Sequence, residues 1–263
     1  FGSRAFKDKL LLPMVNINNI NKSYDDIEFL LDNKKFQVIR KYLSNIVDLE
    51  RMKRKMILNK MPPLEWVVFN DSLDSTIKIY NELNINDSGV TLESINNIIL
   101  SFNDYIDLDV ASKYNLADKN GLGNFFKKGI YPDIDDYVTK SNESHKIIEN
   151  YVNQIINIGK NDSTFCKIDN NDREGYFIII TKKRYDTAVK QNKKLMTTFN
   201  TKSMATSQNY KITNDSITKE SNNIYIYNEK ISQLVLSKYT EFINDFIEKN
   251  NEALDNLIKY LVR

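Results

Sequence analysis

Four residue types are scarce in this chain of 263 amino acids, and each scarcity excludes something. The single cysteine, Cys166, excludes an internal disulfide and is typical of a protein in a reducing, intracellular setting. The single histidine, His145, lies among polar residues, which predicts a surface position. With one histidine in the chain, a Ser-His-Asp relay or a histidine metal cluster would have only one candidate residue. Only seven glycines and four prolines interrupt the chain, which favours long helices.

Long apolar runs and nucleotide-binding loops are missing as well. No run approaches the roughly 18 apolar residues of a membrane span, so we expect no membrane partner. The sequence contains no G-x-x-x-x-G-K-[ST] loop and no convergent set of titratable residues. We therefore expect a non-catalytic segment without catalytic residues, bound metal or cofactor. It begins without Met inside a predicted helix, which indicates a piece of a longer protein.

Apolar residues recur at helical spacing through most of the chain. Trp66, Phe69, Leu73 and Ile77 line one face of a predicted core helix. Two longer patterns follow, from Pro132 to about Gly159 and from 223 to 262. The first would reach roughly 40 Å at about 1.5 Å per residue. The simplest geometry is an antiparallel pair of long helices with a β-containing block between them.

The clearest β signal is the stretch 171–184. A turn cluster at 170–172, followed by Gly175, precedes a β-branched and aromatic run at 176–181. The run ends on Lys182, Lys183 and Arg184, which predicts a hairpin with a basic tip. Cys166 alternates with Phe165 on the preceding predicted strand, so we expect it to be a buried, unreactive residue.

Charge is concentrated around this β block. Residues 182–219 hold nine basic and two acidic residues, a net charge of +7 in a chain whose total is +2. A basic insertion in a mildly acidic frame is typical of a module that contacts a polyanion. Few aromatics are interleaved, so backbone contact to double-stranded DNA is favoured over base stacking. The candidate DNA-backbone residues are Lys182, Lys183, Arg184, Lys193, Lys194, Lys211 and Lys219.

Several motifs, taken in order, resemble a known family. The opening carries Gly2, Arg4, Leu10, Leu12 and Pro13 on a familiar pattern. The later motifs are Asp48-Leu49-Glu50-Arg51, Pro63, Asp71-Ser72-Leu73, Gly129 with Pro132 and Asp136, Lys167-Ile168, and Gly175-Tyr176-Phe177-Ile178. Together they resemble the core (lever) and clamp region of MutS-family DNA mismatch-repair proteins, over essentially the whole chain. The family often has Trp where Lys9 stands and Gly where Asn59 stands.

The resemblance implies a mostly α fold, in which a helical lever domain at 1–159 and 222–263 carries an inserted, β-containing clamp at 160–221. The clamp would grip duplex DNA non-specifically, with Lys219 aligned to the family's clamp lysine. The lever would relay conformational change from an ATPase domain outside these residues. The parent protein would then be a DNA-dependent ATPase that uses ATP and Mg²⁺, acts as a homo- or heterodimer, and is intracellular and associated with DNA.

Two other functions remain open at this point. One is a MutS relative that acts on branched DNA in recombination. The other is a helical scaffold whose basic block meets an acidic protein, since long amphipathic helices alone would support it.

Overall fold

The computed structural model describes residues 3–83, 90–114, 123–159, 162–171, 173–204 and 208–262. Most of these residues are helical, as predicted. Two residues used above, Gly2 of the opening motif and Asp172 of the predicted turn, lie outside the described part. The helices are α1 Ser3–Leu11, α2 Ile17–Leu31, α3 Lys35–Leu43, α4 Leu49–Ile57, α5 Leu64–Leu83, α6 Leu92–Asn103, α7 Leu108–Lys113, α8 Pro132–Ile158, α9 Lys182–Gln191, α10 Lys193–Met196 and α11 Asp215–Val262.

In the described part of the chain, four short strands form one antiparallel sheet in the order β1-β2-β4-β3. They are β1 Cys166–Asn171, β2 Gly175–Thr181, β3 Asn200–Ser203 and β4 Asn209–Thr213. The predicted hairpin exists as β1 and β2. Its basic tip was wrong, because β2 ends at Thr181 and residues 182–184 open α9. Thr181 caps that helix, its hydroxyl accepting a hydrogen bond from the backbone N–H of Arg184 at 3.4 Å.

The chain divides into two compact units. The helical unit comprises Phe1–Ala117, Phe125–Ile130 and Leu236–Arg263, and the sheet unit comprises Asp118–Asn124 and Tyr131–Val235. Helix α11 contributes residues to both. The lever and clamp boundaries at 160 and 221 stay a prediction.

The core of the helical unit is built around Trp66. Its ring lies 4.9 Å from Phe246 and 5.1 Å from Phe102, centroid to centroid, and all three side chains are buried. The indole N–H donates to the Tyr239 hydroxyl at 2.9 Å, and that hydroxyl donates to the carbonyl of Met61 at 2.7 Å. The predicted core stripe on α5 is therefore confirmed for Trp66, Phe69 and Leu73.

Two helical segments of the sheet unit run antiparallel, as predicted. Ser141 of α8 donates to Asn228 of α11 at 2.9 Å, and Ser144 donates to Glu220 at 2.7 Å, so rising numbers on α8 meet falling numbers on α11. Pro132 occupies the first turn of α8 and Gly159 its C-cap, as expected. Helix α11 begins eight residues before the predicted 223, because Asn214 accepts a hydrogen bond from the Ile217 N–H at 2.7 Å.

The inner face of the sheet packs against these helices. Alternate residues of β1, β2 and β4 point to this face and join apolar side chains of α8, α9 and α11 in one core. The sheet members of this core include Cys166, Ile178, Ile180 and Ile212, all buried. The opposite, outer face of the sheet carries the basic residues described below, together with the buried side chains of Phe177 and Ile179.

Candidate nucleic-acid interface

Five of the seven predicted basic residues are exposed in the sheet unit. Lys182 and Lys183 lie in the first turn of α9, Lys193 and Lys194 form the start of α10, and Lys219 lies on α11. None of them forms an ion pair with a residue that the structure describes. These ammonium groups are available to an external anion.

The two lysines that open α9 are poorly placed for the stability of their own helix. The first turn carries the positive end of the helix macrodipole, which favours carboxylates and disfavours cations there. The Lys182 ammonium lies 5.6 Å from the centroid of the Tyr210 ring, an aromatic neighbour without a formal charge. Helix stability therefore does not account for Lys182 and Lys183, whereas an anionic ligand would.

Arg184 is occupied within the protein. Its guanidinium donates to the Thr164 carbonyl, to the Thr164 hydroxyl at 3.0 Å, and to the Asp162 carboxylate at 3.4 Å. It also lies 5.8 Å from the Phe165 ring centroid. Arg184 therefore holds the segment that leads into β1. Its role differs from that of Lys182 and Lys183, although the three residues are adjacent in sequence.

Lys211 is occupied too. Its ammonium pairs with the Glu174 carboxylate and lies 3.8 Å from the Phe177 ring centroid, and only 12% of its side chain is exposed. The hydrogen bond from Lys211 is the main reason that the pKa of Glu174 falls from 4.5 to about 2, with further hydrogen bonds from Asn171 and Lys202 contributing. Glu174 therefore stays ionised at neutral pH.

Sequence reasoning missed two other lysines of the same unit, Lys167 and Lys202. Both are exposed and lie on the outer sheet face with Lys211. The alternation of Lys167 with the inward-facing Cys166 and Ile168 was a usable signal. For Lys202, the strand itself is too short and polar, NTKS, to be recognised from its sequence.

Two single residues have clear positions. Cys166 is buried as predicted; burial raises the pKa of its thiol to about 11, although the nearby Arg184 charge opposes the shift. His145 is not the surface residue that was expected. It is half-buried, with its ring 4.8 Å from Tyr176 in an edge-to-face contact, and burial lowers its pKa while Glu149 opposes the change.

Within the described ranges, no group of three or more His, Cys, Asp or Glu residues is arranged to hold a metal ion. In that same part of the chain, no helix is long and apolar enough to cross a bilayer. The described part of the sheet unit carries exposed basic side chains on its small sheet and on its helices.

Comparison with known proteins identifies the class. The model of the family MutS domain III matches residues 1–262. A putative DNA mismatch repair protein, a mutS homolog of Acanthamoeba polyphaga mimivirus, is 30% identical over 202 residues, covering 69% of this chain and 17% of that protein. The DNA mismatch repair protein MutS of Borrelia hermsii is 27% identical over 188 residues, covering 70% of this chain and 21% of that protein.

The MutS protein of Carboxydothermus hydrogenoformans is 26% identical over 193 residues, which cover 69% of this chain and 22% of that protein. The chain belongs to the MutS family, as its motifs predicted. It spans about a fifth of the length of the curated relatives that it matches.

Proposed function

We propose that the sheet unit grips the backbone of double-stranded DNA without reading its sequence. The observation that carries this is the set of five exposed lysines that form no ion pair with a described residue, on a unit whose family relatives are named DNA mismatch repair proteins. Lysine ammonium groups position phosphates and carry little sequence information.

The aromatic residues of the basic block support backbone contact over base stacking. Tyr185 and Tyr210 lie edge to face with centroids 5.0 Å apart, and Phe199 is buried in the core. The Tyr185 hydroxyl also accepts a hydrogen bond from Thr201 at 3.1 Å. Because these rings are engaged with one another and with the core, they offer no ready stacking platform for unpaired bases.

We also propose that this chain is a non-catalytic part of a larger protein and relays conformational change from an ATPase domain. Helix α11, which contributes residues to both units, is the element suited to that role. The sequence has no phosphate-binding loop of the G-x-x-x-x-G-K-[ST] type, so the residues present do not fit ATP. Binding of ATP and Mg²⁺, and dimerisation, are proposed for the full-length protein.

The test is a fluorescence anisotropy titration with a fully paired duplex, repeated from about 50 to about 200 mM salt. Replacing Lys182 and Lys183 by Gln should weaken binding and reduce the slope of log affinity against log salt by about 1.8, or about 0.9 for each phosphate that is no longer neutralised. The matched control is the double change Lys22→Gln and Lys41→Gln on exposed positions of α2 and α3.

Equal slopes for the test pair and the control pair would remove Lys182 and Lys183 from the interface. A chain that binds no duplex at low salt would favour the protein scaffold instead. Tighter binding to a four-way junction than to a duplex would favour action on branched DNA.

A further inference from the structure

A row of lysines crosses the outer face of the sheet. The strand register aligns Lys167 of β1 with Ile179 of β2, then Lys211 of β4, then Lys202 of β3. Three of the four positions in this row are therefore lysine. Neighbouring strands lie about 4.8 Å apart, so the row spans roughly 14 Å across the face.

The lysine row is unfavourable for the sheet unless something offsets its charge. Lys202 and Lys211 are direct cross-strand partners, and like charges in that position destabilise a strand pair. Ile179 within the row and Phe177 beside it on β2 are only 9% and 3% exposed, although neither belongs to the core cluster of the inner face. Lys211 over the Phe177 ring provides part of that cover, as lysine stems commonly do over apolar surface.

The turn between β1 and β2 delivers one carboxylate to this row. The Asn171 side-chain oxygen accepts from the backbone N–H groups of Arg173 at 3.1 Å and Glu174 at 2.7 Å, which fixes the turn. Gly175 follows with φ +68, a conformation that favours glycine. Glu174 then reaches back over the face, pairing with Lys211 and, at 3.4 Å, with Lys202.

The two lysines held by Glu174 differ in accessibility. The side chain of Lys202 is 79% exposed, so replacing Glu174 by another anion costs this lysine little interaction energy. The side chain of Lys211 is only 12% exposed. Glu174 itself is 41% exposed, so solvent and a ligand reach its carboxylate more readily than they reach the Lys211 ammonium. The exposed Lys202–Glu174 ion pair contributes little to folding, which leaves the position of the carboxylate over a lysine row to be explained.

We infer that Lys167, Lys202 and Lys211 form a second phosphate-contacting surface, and that Glu174 occupies it until a DNA phosphate displaces the carboxylate. This inference rests on the proposed DNA binding and adds its regulation. Glu174 acts as an internal competitor: it neutralises the lysine row in the free protein and raises the DNA concentration at which the row becomes engaged. The partner is the phosphodiester backbone, since the row presents charges and no groups that distinguish bases.

The experiment compares Glu174→Gln with Glu143→Gln. Both remove one negative charge from the sheet unit, and Glu143 is an exposed residue of α8. In duplex titrations at about 50 to 200 mM salt, Glu174→Gln should bind about twofold to fivefold more tightly than Glu143→Gln. Its log-log salt slope should become steeper by about 0.9 for each phosphate newly neutralised.

A second variant separates competition from a purely structural effect. Lys202→Gln should weaken binding relative to Lys146→Gln, an exposed lysine of α8, and should cancel part of the gain when combined with Glu174→Gln. Thermal unfolding of every variant identifies any that is simply less folded.

The outcomes distinguish this inference from the proposed function. If the unmodified chain binds duplex but Glu174→Gln matches Glu143→Gln, the competitor role is overturned and backbone binding stands. If Lys202→Gln matches Lys146→Gln, the lysine row is not a contact surface. If neither the unmodified chain nor Glu174→Gln binds duplex at low salt, both proposals are overturned.

Discussion

The helical unit and the sheet unit bury their side chains by different means. In the helical unit a hub of aromatic rings surrounds Trp66, and its polar N–H is satisfied inside the core by Tyr239. In the sheet unit the core is mostly isoleucine and other aliphatic residues between a four-stranded sheet and helices. The sheet unit also places lysines on its outer surface and one carboxylate among them. The helical unit is thus built around a directional, hydrogen-bonded core, whereas the sheet unit combines an aliphatic core with a basic outer face.

The largest effects should come from cutting into each core. Phe102→Ala removes a buried ring of the aromatic hub and should cost about 3–5 kcal/mol, and Ile178→Ala should cost about 2–5 kcal/mol in the sheet unit. Each unit has its own reporter, because Trp66 is the only tryptophan and Cys166 the only cysteine. Urea unfolding followed by Trp66 fluorescence, and by labelling of the Cys166 thiol, measures the two effects.

We expect Phe102→Ala to shift mainly the fluorescence transition and Ile178→Ala mainly the thiol labelling, because Trp66, Phe102 and Phe246 do not belong to the core cluster of the sheet unit. The Cys166 thiol, buried and with its pKa raised to about 11, should be protected until the sheet unit opens. Equal shifts of both reporters in both variants would mean that the units unfold as one.

The next largest difference is expected between two glycines with positive φ, one in each unit. Gly175 (φ +68) lies so close to Ser221 that an added Cβ would collide with its hydroxyl oxygen, whereas a Cβ on Gly129 (φ +92) would meet nothing within 4 Å. The Ser221 hydroxyl accepts from the Tyr176 N–H at 2.8 Å. Gly175→Ala should therefore cost about 2–3 kcal/mol and Gly129→Ala about 1–2 kcal/mol in thermal or urea unfolding. The reverse order would show that Ser221 moves aside freely.

Two tyrosine hydroxyls, one in each unit, allow the contribution of a buried hydrogen bond to be compared with that of an exposed one. Tyr239→Phe leaves the buried Trp66 N–H without its acceptor and should cost about 1–2 kcal/mol in urea unfolding. Tyr185→Phe removes only the exposed hydrogen bond from Thr201 and should change stability by less than about 0.5 kcal/mol. Similar losses for the two variants would argue that the Trp66 hydrogen bond carries no special weight.

The smallest effect is a pH dependence confined to the sheet unit. Burial lowers the pKa of His145 in the folded chain, so the unfolded chain binds a proton first as the pH falls. The contribution of neutral His145 to the free energy of unfolding should be fully present above about pH 6.5, the ordinary pKa of histidine, and should decline as the pH falls below that value. His145→Phe should flatten that decline in urea unfolding between about pH 7.5 and 5.5. An unchanged profile would assign the decline to other groups.

Periodicity and turn chemistry determined much of the fold in advance. The core face of α5, the span of α8 with its terminal Pro132 and Gly159, and the β1–β2 hairpin all follow from local patterns that tertiary contacts reinforce. The start of α11 was missed by eight residues because the deciding signal was a single cap, Asn214, within a polar stretch. Residues 182–184 were misplaced because a charged run after a strand does not itself reveal that a helix begins.

By itself the sequence determined the family, the mostly helical class and the region where positive charge accumulates, because composition, spacing and motif order are local properties of the chain. Only the tertiary structure decided which cations are available. Arg184 is held by Thr164 and Asp162, and Lys211 is held by Glu174. Lys167 and Lys202 join one row only because β2 pairs with β4, which brings two hairpins together. Pairing of charges depends on distances between folded elements, and no spacing along the chain encodes it.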